Sequence, residues 1–293
     1  MTQPLTLGDR RYDVSSRALV MGILNRTTDS FFDKGAFYEM DRFLARASEL
    51  VGAGADILDV GGVKAGPGPE VGESEELARV IPAIEALHSR FDVALSADTW
   101  RATVAQAAYA AGAVVGNDIS GFADPAYLPV AAASGATVVA THIRLQPRVR
   151  DPEPEYPGGV VHDVREFLAD RVALAEAAGV TPDRIVIDAG LDLGKTTPQS
   201  LELLRASGQL ASLGYPLLLS ASNKTFLGQL LDLDIDQRGT ASLAAAALGV
   251  ATGCRILRVH DVAGTCRVRD VLAAVLDRES TVPAPTGGSP DRG

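Results

Sequence analysis

Cysteine is almost absent from this 293-residue chain, which carries only Cys254 and Cys266. An apolar run lies between them, and as an extended strand it would hold them roughly 20 Å apart at ~3.3 Å per residue, far beyond disulfide reach. Two free thiols, with no zinc-type Cys/His spacing, exclude a disulfide scaffold and fit a reducing, cytoplasmic setting. Long hydrophobic runs are missing too. None approaches the ~20 residues of a membrane span, and the N-terminus lacks the apolar core of a secretory signal. Positive charge is in deficit, with 27 Lys and Arg against 37 Asp and Glu and a net charge of −10. That argues against a nucleic-acid partner, which needs clustered cations, while leaving room for a small anion in a local cationic pocket. No Ser–His–Asp order stands out, and 188–195 lacks the spacing of a phosphate-binding P-loop. No Pro/Gly/Ser-rich linker interrupts the chain before its end, so residues 1–278 read as one domain and 279–293 as a disordered tail.

What the chain does have is a repeated alternation. Short apolar runs at 18–25, 55–62, 93–99, 114–121, 137–143, 185–190, 216–222 and 255–261 each end in a polar residue, and helical stretches separate them. Near-continuous apolar runs are the mark of strands covered on both faces, and alternation with helices implies parallel pairing. Eight such units in about 250 residues predict an α/β fold, a (β/α)8 TIM barrel. Helices are expected at 41–54, 74–90, 101–112, 125–135, 161–179, 198–213, 239–253 and 264–277. Ser74 and the Thr197-Pro198 pair are their clearest start signals. Gly54, Gly112, Gly135, Gly179 and Gly253 are placed to take left-handed C-caps. Residues 5–14 alternate around Gly8-Asp9 and predict a short N-terminal β-hairpin that would plug the bottom of the barrel. Two long loops, 26–40 and the proline-rich 144–159, belong to the end where the strands finish.

Barrel chemistry sits at those strand ends, and costly residues fall there: Asn25, Asp59, Asp98, Asn117, Asp188, Lys224, Arg258 and His260. A carboxylate after an apolar strand is expensive unless paired or hydrogen-bonded. Asp98, Asn117 and Asp188 together suit a flat heterocycle, because a carboxylate accepts two parallel hydrogen bonds from an amidine-like edge. Pairing with a neighbouring Lys or Arg is the competing role for any one acid. Arg258 and His260 alternate along the last strand and, with Lys224, predict a cationic side fit for phosphate or diphosphate. His142 is at least as well read as a packed or hydrogen-bonded histidine, and His88 and His162 as solvent-facing helix residues.

These residues stand inside motifs that resemble the dihydropteroate synthases: Met21-Gly-Ile-Leu-Asn25 with Thr27-Thr-Asp-Ser-Phe31, Asp56-Ile-Leu-Asp-Val-Gly-Gly62, Asp98-Thr99, Asn117-Asp-Ile-Ser-Gly121, Ser222-Asn-Lys-Thr-Phe226, Gly239-Thr240 and Arg258-Val-His260. The resemblance runs over about 18–277. It implies the joining of 4-aminobenzoate to a dihydropterin methyl diphosphate, with release of pyrophosphate, in folate biosynthesis. Asp98, Asn117, Asp188 and Lys224 would hold the pterin and Arg258 would stack near its ring. Asn25, Arg258 and His260 would hold the diphosphate, Mg2+ would assist at Asn25, and the protein would be a homodimer through its barrel helices.

The departures from that pattern are concrete. Where the family has Ser-Thr-Arg-Pro-Gly after the second strand, this chain reads Lys64-Ala65-Gly66-Pro67-Gly68, so the Thr is Ala65 and the Arg is Gly66. The family's Ser-Arg-Lys is Ser222-Asn223-Lys224, its glycine-phenylalanine after the sixth strand is Asp192-Leu193, the Met before His142 is Thr141, and two opening-loop residues are Arg26 and Thr28. Lys64, Arg26 and Arg144 are the cations that could stand in. The expectation is a homologue that keeps the pterin floor, has weak or no synthase activity and is open to a redirected role. The alternative is an active synthase. A pterin-dependent methyltransferase is disfavoured by Lys224 and the Arg258-Val-His260 grip.

Overall fold

The computed structural model describes residues 4–25, 36–64, 66, 68 and 70–276. What the sequence led us to expect of Arg26, Thr28, Ala65, Pro67 and the 279–293 tail lies outside the described residues. The expected hairpin forms from β1 (Leu5–Leu7) and β2 (Arg10–Tyr12), paired antiparallel around Gly8 at φ 60°. Eight parallel strands then close a barrel: β3 (Leu19–Asn25), β4 (Ile57–Gly61), β5 (Ala94–Asp98), β6 (Val115–Asp118), β7 (Thr137–Thr141), β8 (Ile185–Asp188), β9 (Leu217–Leu219) and β10 (Cys254–Val259). Each pairs with the next, and β10 closes the ring by pairing with both β9 and β3.

Side chains alternate across a strand, so every second residue faces the barrel interior. The lower interior layer is apolar: Leu19, Met21, Ile57, Val115, Val139, Val186, Leu218 and Ile256 pack as one cluster, with Leu5, Leu7 and Val14 of the hairpin segment filling in beneath them. Two residues further along five of these strands the same face turns polar, from Ile57 to Asp59, Val115 to Asn117, Val139 to Thr141, Val186 to Asp188 and Ile256 to Arg258. The opposite faces of the strands join a second apolar layer under the helices, where Val20, Leu58, Val138, Ile187 and Leu257 are almost completely buried.

The helices are α1 (Ala36–Gly52), α2 (Glu73–His88), α3 (Ala102–Ala110), α4 (Tyr127–Ala133), α5 (Val160–Ala177), α6 (Thr197–Arg205), α7 (Ser207–Ala211), α8 (Thr225–Leu231), α9 (Gly239–Ala251) and α10 (Val262–Leu276). Four details differ from expectation, the first being that α1 begins at Ala36, within the expected 26–40 loop. The helix predicted over 198–213 breaks at Ala206 into α6 and α7, and α6 is capped by Thr196, whose hydroxyl and Gln199 form a reciprocal capping box. Ser74 lies inside α2, whose N-cap is Gly72. The segment after β9 holds α8, which periodicity did not pick out because it spans only seven residues. All five expected C-cap glycines have positive φ, and both cysteines are free and buried. No helix among the described residues is long and apolar enough to cross a membrane.

Candidate functional site

Strand register brings the polar ends into line. Asn25 pairs with Gly61, Gly61 with Asp98 and Asp98 with Asn117, while Thr141 pairs with Asp188 further round the ring. A Cβ at Gly61 would crowd that row, standing 3.1 Å from Asn25 Oδ1 and 3.4 Å from Asp98 Oδ2. A cavity of about 160 Å3 opens above, and Asn25, Asp98, Asn117, Asp188, Lys224 and Arg258 all line it. Six of the seven expected site residues thus meet in one place. His260 does not line this cavity. β10 ends at Val259, so His260 leaves the interior face and is exposed, with its Nδ1 3.0 Å from Ser222 Oγ. A wider hollow of about 420 Å3 lies under the hairpin turn at the other end of the barrel, but its charged rim of Arg10, His88, Arg90 and Asp92 is exposed.

The centre of the constellation is Asp59, which had been assigned no role. It is fully buried and accepts three hydrogen bonds: from Ser96 Oγ at 2.5 Å, from Arg258 Nε at 2.6 Å and from Asn117 Nδ2 at 3.2 Å. Arg258 then donates from Nη2 to Asp98 Oδ2 at 2.7 Å. Expectation set an acidic side against a cationic side across the pocket; instead Arg258 reaches over and locks onto two of the acids. Burial alone would favour a neutral guanidine, but the Asp59 and Asp98 carboxylates more than reverse it, and Arg258 stays cationic. Burial pushes the Asp98 carboxyl above the ordinary carboxylate range. Asp59 and Glu76 add to the rise, while Arg258 and Lys224 oppose it.

Asp188 is buried at the end of β8, where the Gly190 N–H donates to its Oδ1 at 2.8 Å. Burial raises its pKa, and the Gly190 N–H, Lys224, Lys195 and Arg258 pull the other way. Lys224 is the N-cap of α8, and among the described residues its ammonium makes neither a hydrogen bond nor an ion pair. Burial depresses its pKa, with Arg258 adding to the fall, while Asp192, Asp188 and Asp98 oppose it.

Sequence reasoning also passed over Lys195. It is buried, donates to the carbonyls of Gly190 and Leu193 at 2.9 Å each, and meets His142 Nδ1 at 2.9 Å. The only sequence signal was a lysine closing a glycine-rich loop that had been set aside as a poor phosphate binder. His142 is packed as expected, edge-on to Phe167 at 4.7 Å, and burial aided by Lys195 takes its pKa down to about 3, leaving it neutral. Of the substitute cations, Arg144 is committed to Asp151 through Nε and Nη2, both at 2.5 Å. Lys64 lines the cavity beside Asn25.

Residues 21–260 match the family described as pterin binding enzyme. The chain is 44% identical over 266 residues to a Mycobacterium leprae protein named inactive dihydropteroate synthase 2, covering 89% of this chain and 91% of that one. It is 41% identical over 275 residues to a dihydropteroate synthase of Synechocystis, covering 92% and 95% respectively. Among solved structures it is similar to the dihydropteroate synthase of Xanthomonas albilineans in complex with 7,8-dihydropteroate, with a TM-score of 0.83, 37% identity and coverage of 93% and 98%.

Proposed function

This chain belongs to the pterin-binding enzyme family as a homologue of the dihydropteroate synthases, and on that premise we propose that it binds a pterin-like heterocycle but makes dihydropteroate slowly or not at all. One observation carries the reading. Asp98, Asn117, Asp188 and Lys224, read here as the pterin side, line a single cavity, while the position at which the resemblance implies an arginine over the diphosphate is Gly66. In this reading Asp188 and Asn117 meet the amino and ring N–H groups of the heterocycle. Lys224, whose ammonium donates to no protein acceptor among the described residues, donates to a ring acceptor. Arg258 offers the flat face of its guanidinium, held level by Asp59 and Asp98, as a stacking surface. Asn25 and His260 would serve a diphosphate at the rim.

The residues present fit magnesium only as a companion of that diphosphate. Among the described residues no group of three or more His, Cys, Asp or Glu could hold an ion, whereas Mg2+ on a phosphate substrate commonly takes only one or two protein oxygens. Asn25 Oδ1 would be that oxygen, and the ion would help to neutralise the departing pyrophosphate. The second reading, an active synthase, is favoured by Lys64, whose place in the cavity could bring a point charge to the same anion.

The test is calorimetric titration of the full chain with 6-hydroxymethylpterin. We expect 1:1 binding that weakens as pH falls from about 7.5 to about 5.5, because the raised Asp98 carboxyl takes up a proton in mild acid and ceases to be a full acceptor. A folded protein that binds no pterin would sink the reading.

The homodimer is also a proposal. The neighbouring helices α9 and α10 expose Leu248, Val271 and Val275, the last of them 70% exposed, which suits a second copy packed across them. Val271→Glu combined with Val275→Glu is expected to turn a dimer into a monomer in size-exclusion light scattering at micromolar concentration. An unchanged mass would move the interface elsewhere.

A further inference from the structure

Asp192, in the loop after β8, has φ 66°, in the left-handed region that residues with a Cβ adopt rarely and Asp less rarely than most. Its side chain is put to use there. Oδ2 accepts from the Thr225 N–H at 2.5 Å and Oδ1 from the Phe226 N–H at 3.3 Å, while its own N–H donates to Ser200 Oγ at 3.3 Å. Thr225 and Phe226 open α8, and the residue before them is Lys224. Leu191 and Leu193, on either side of Asp192, line the same cavity as Lys224. One carboxylate therefore ties two walls of the pocket together, directly beside the lysine.

Charge points the same way. The Lys224 ammonium faces Asp192, Asp188 and Asp98 on one hand and Arg258, Lys195 and His260 on the other. Its burial and the Arg258 cation both favour the neutral amine; Asp192 exerts the largest opposing pull, ahead of Asp188 and Asp98. We infer that Asp192 is a positioning residue for Lys224, fixing its backbone at the start of α8 and keeping its ammonium charged for donation to an acceptor atom of the bound heterocycle. This rests on the pterin-binding reading and adds Asp192 to it. It also specifies the ligand atom that Lys224 meets as an electronegative one.

The experiment measures 6-hydroxymethylpterin affinity for the full chain, Asp192→Asn and Asp192→Gly at pH 7 and pH 9. Taking the variant-to-wild-type ratio at each pH cancels the ligand's own titration. Asparagine keeps the shape and one acceptor without the charge. Glycine suits the left-handed backbone and guards against a variant that fails to fold. We expect both to weaken binding at least about fivefold more at pH 9 than at pH 7, since without Asp192 the ammonium is lost at lower pH. A ratio that is the same at both pH values, whatever its size, overturns the inference and leaves Asp192 a loop clamp. A wild-type chain that is folded by circular dichroism and binds no pterin at either pH overturns the pterin reading itself.

Discussion

Dihydropteroate formation by this chain is expected to run at least about 100-fold slower than by a synthase that keeps Ser-Thr-Arg-Pro-Gly after its second barrel strand. The reasoning is electrostatic. When the C–O bond to the diphosphate breaks, negative charge grows on the leaving group, and a donor aimed at developing charge is worth ~3–4 kcal/mol, or ~10²–10³ in rate. Glycine at position 66 removes one such donor, and alanine at 65 removes a hydroxyl beside it. Arg144 cannot replace the loss because Asp151 already holds it in a two-pronged ion pair. Lys64 lines the cavity, but an ammonium does not reproduce a bidentate fork. Among the described residues, restoration is sterically open: a Cβ at Gly66 meets none of their atoms within 4 Å, and its φ is outside the left-handed range. Ala65→Thr with Gly66→Arg should therefore raise turnover at least about tenfold in a steady-state assay with Mg2+, the pterin diphosphate and 4-aminobenzoate. Wild-type turnover within about tenfold of a loop-intact synthase would show that other cations do the work.

Asp59→Ala should be the most damaging single change to the pocket. It removes the acceptor of three donors at once, Ser96, Asn117 and Arg258, from a site without solvent access. Breaking a buried ion pair from one side costs about 3–5 kcal/mol, because the partner charge stays behind unpaired. Arg258 would keep Asp98, so the lower end of that range is expected in urea unfolding. If the pterin-binding reading holds, affinity should fall by about 100-fold or more, because the Arg258 guanidinium loses one of its two carboxylate anchors and the Asn117 amide loses its acceptor. Asp59→Asn, which retains an acceptor oxygen, should recover part of the stability and little of the affinity. A loss below about 1 kcal/mol with pterin binding intact would mean that Asp98 alone orients Arg258.

The barrel was legible because its strands are buried on both faces and read as unbroken apolar runs, and the ends of those runs named six residues that the structure gathers round one cavity. Local signals served where the chemistry is local, as at the five C-cap glycines. They failed where an element is short or its boundary is set by packing, as at α8 and at the break between α6 and α7. The internal wiring of the site was out of reach for a different reason. Arg258 and Asp59 are 199 residues apart, and which acid a guanidinium takes depends on side-chain reach across a closed barrel rather than on any spacing along the chain. Lys195 escaped likewise, since its contact with His142 exists only once β7 and β8 lie side by side.

The packed floor of the barrel has a kinetic consequence. The apolar layer from Leu19 to Ile256 already fills the interior, and Leu5, Leu7 and Val14 cover it from below, so the cavity above can be entered only at its upper rim. Whatever rests deepest, against Asp188 and Arg258, must arrive before anything that sits above it and can depart only after that has gone.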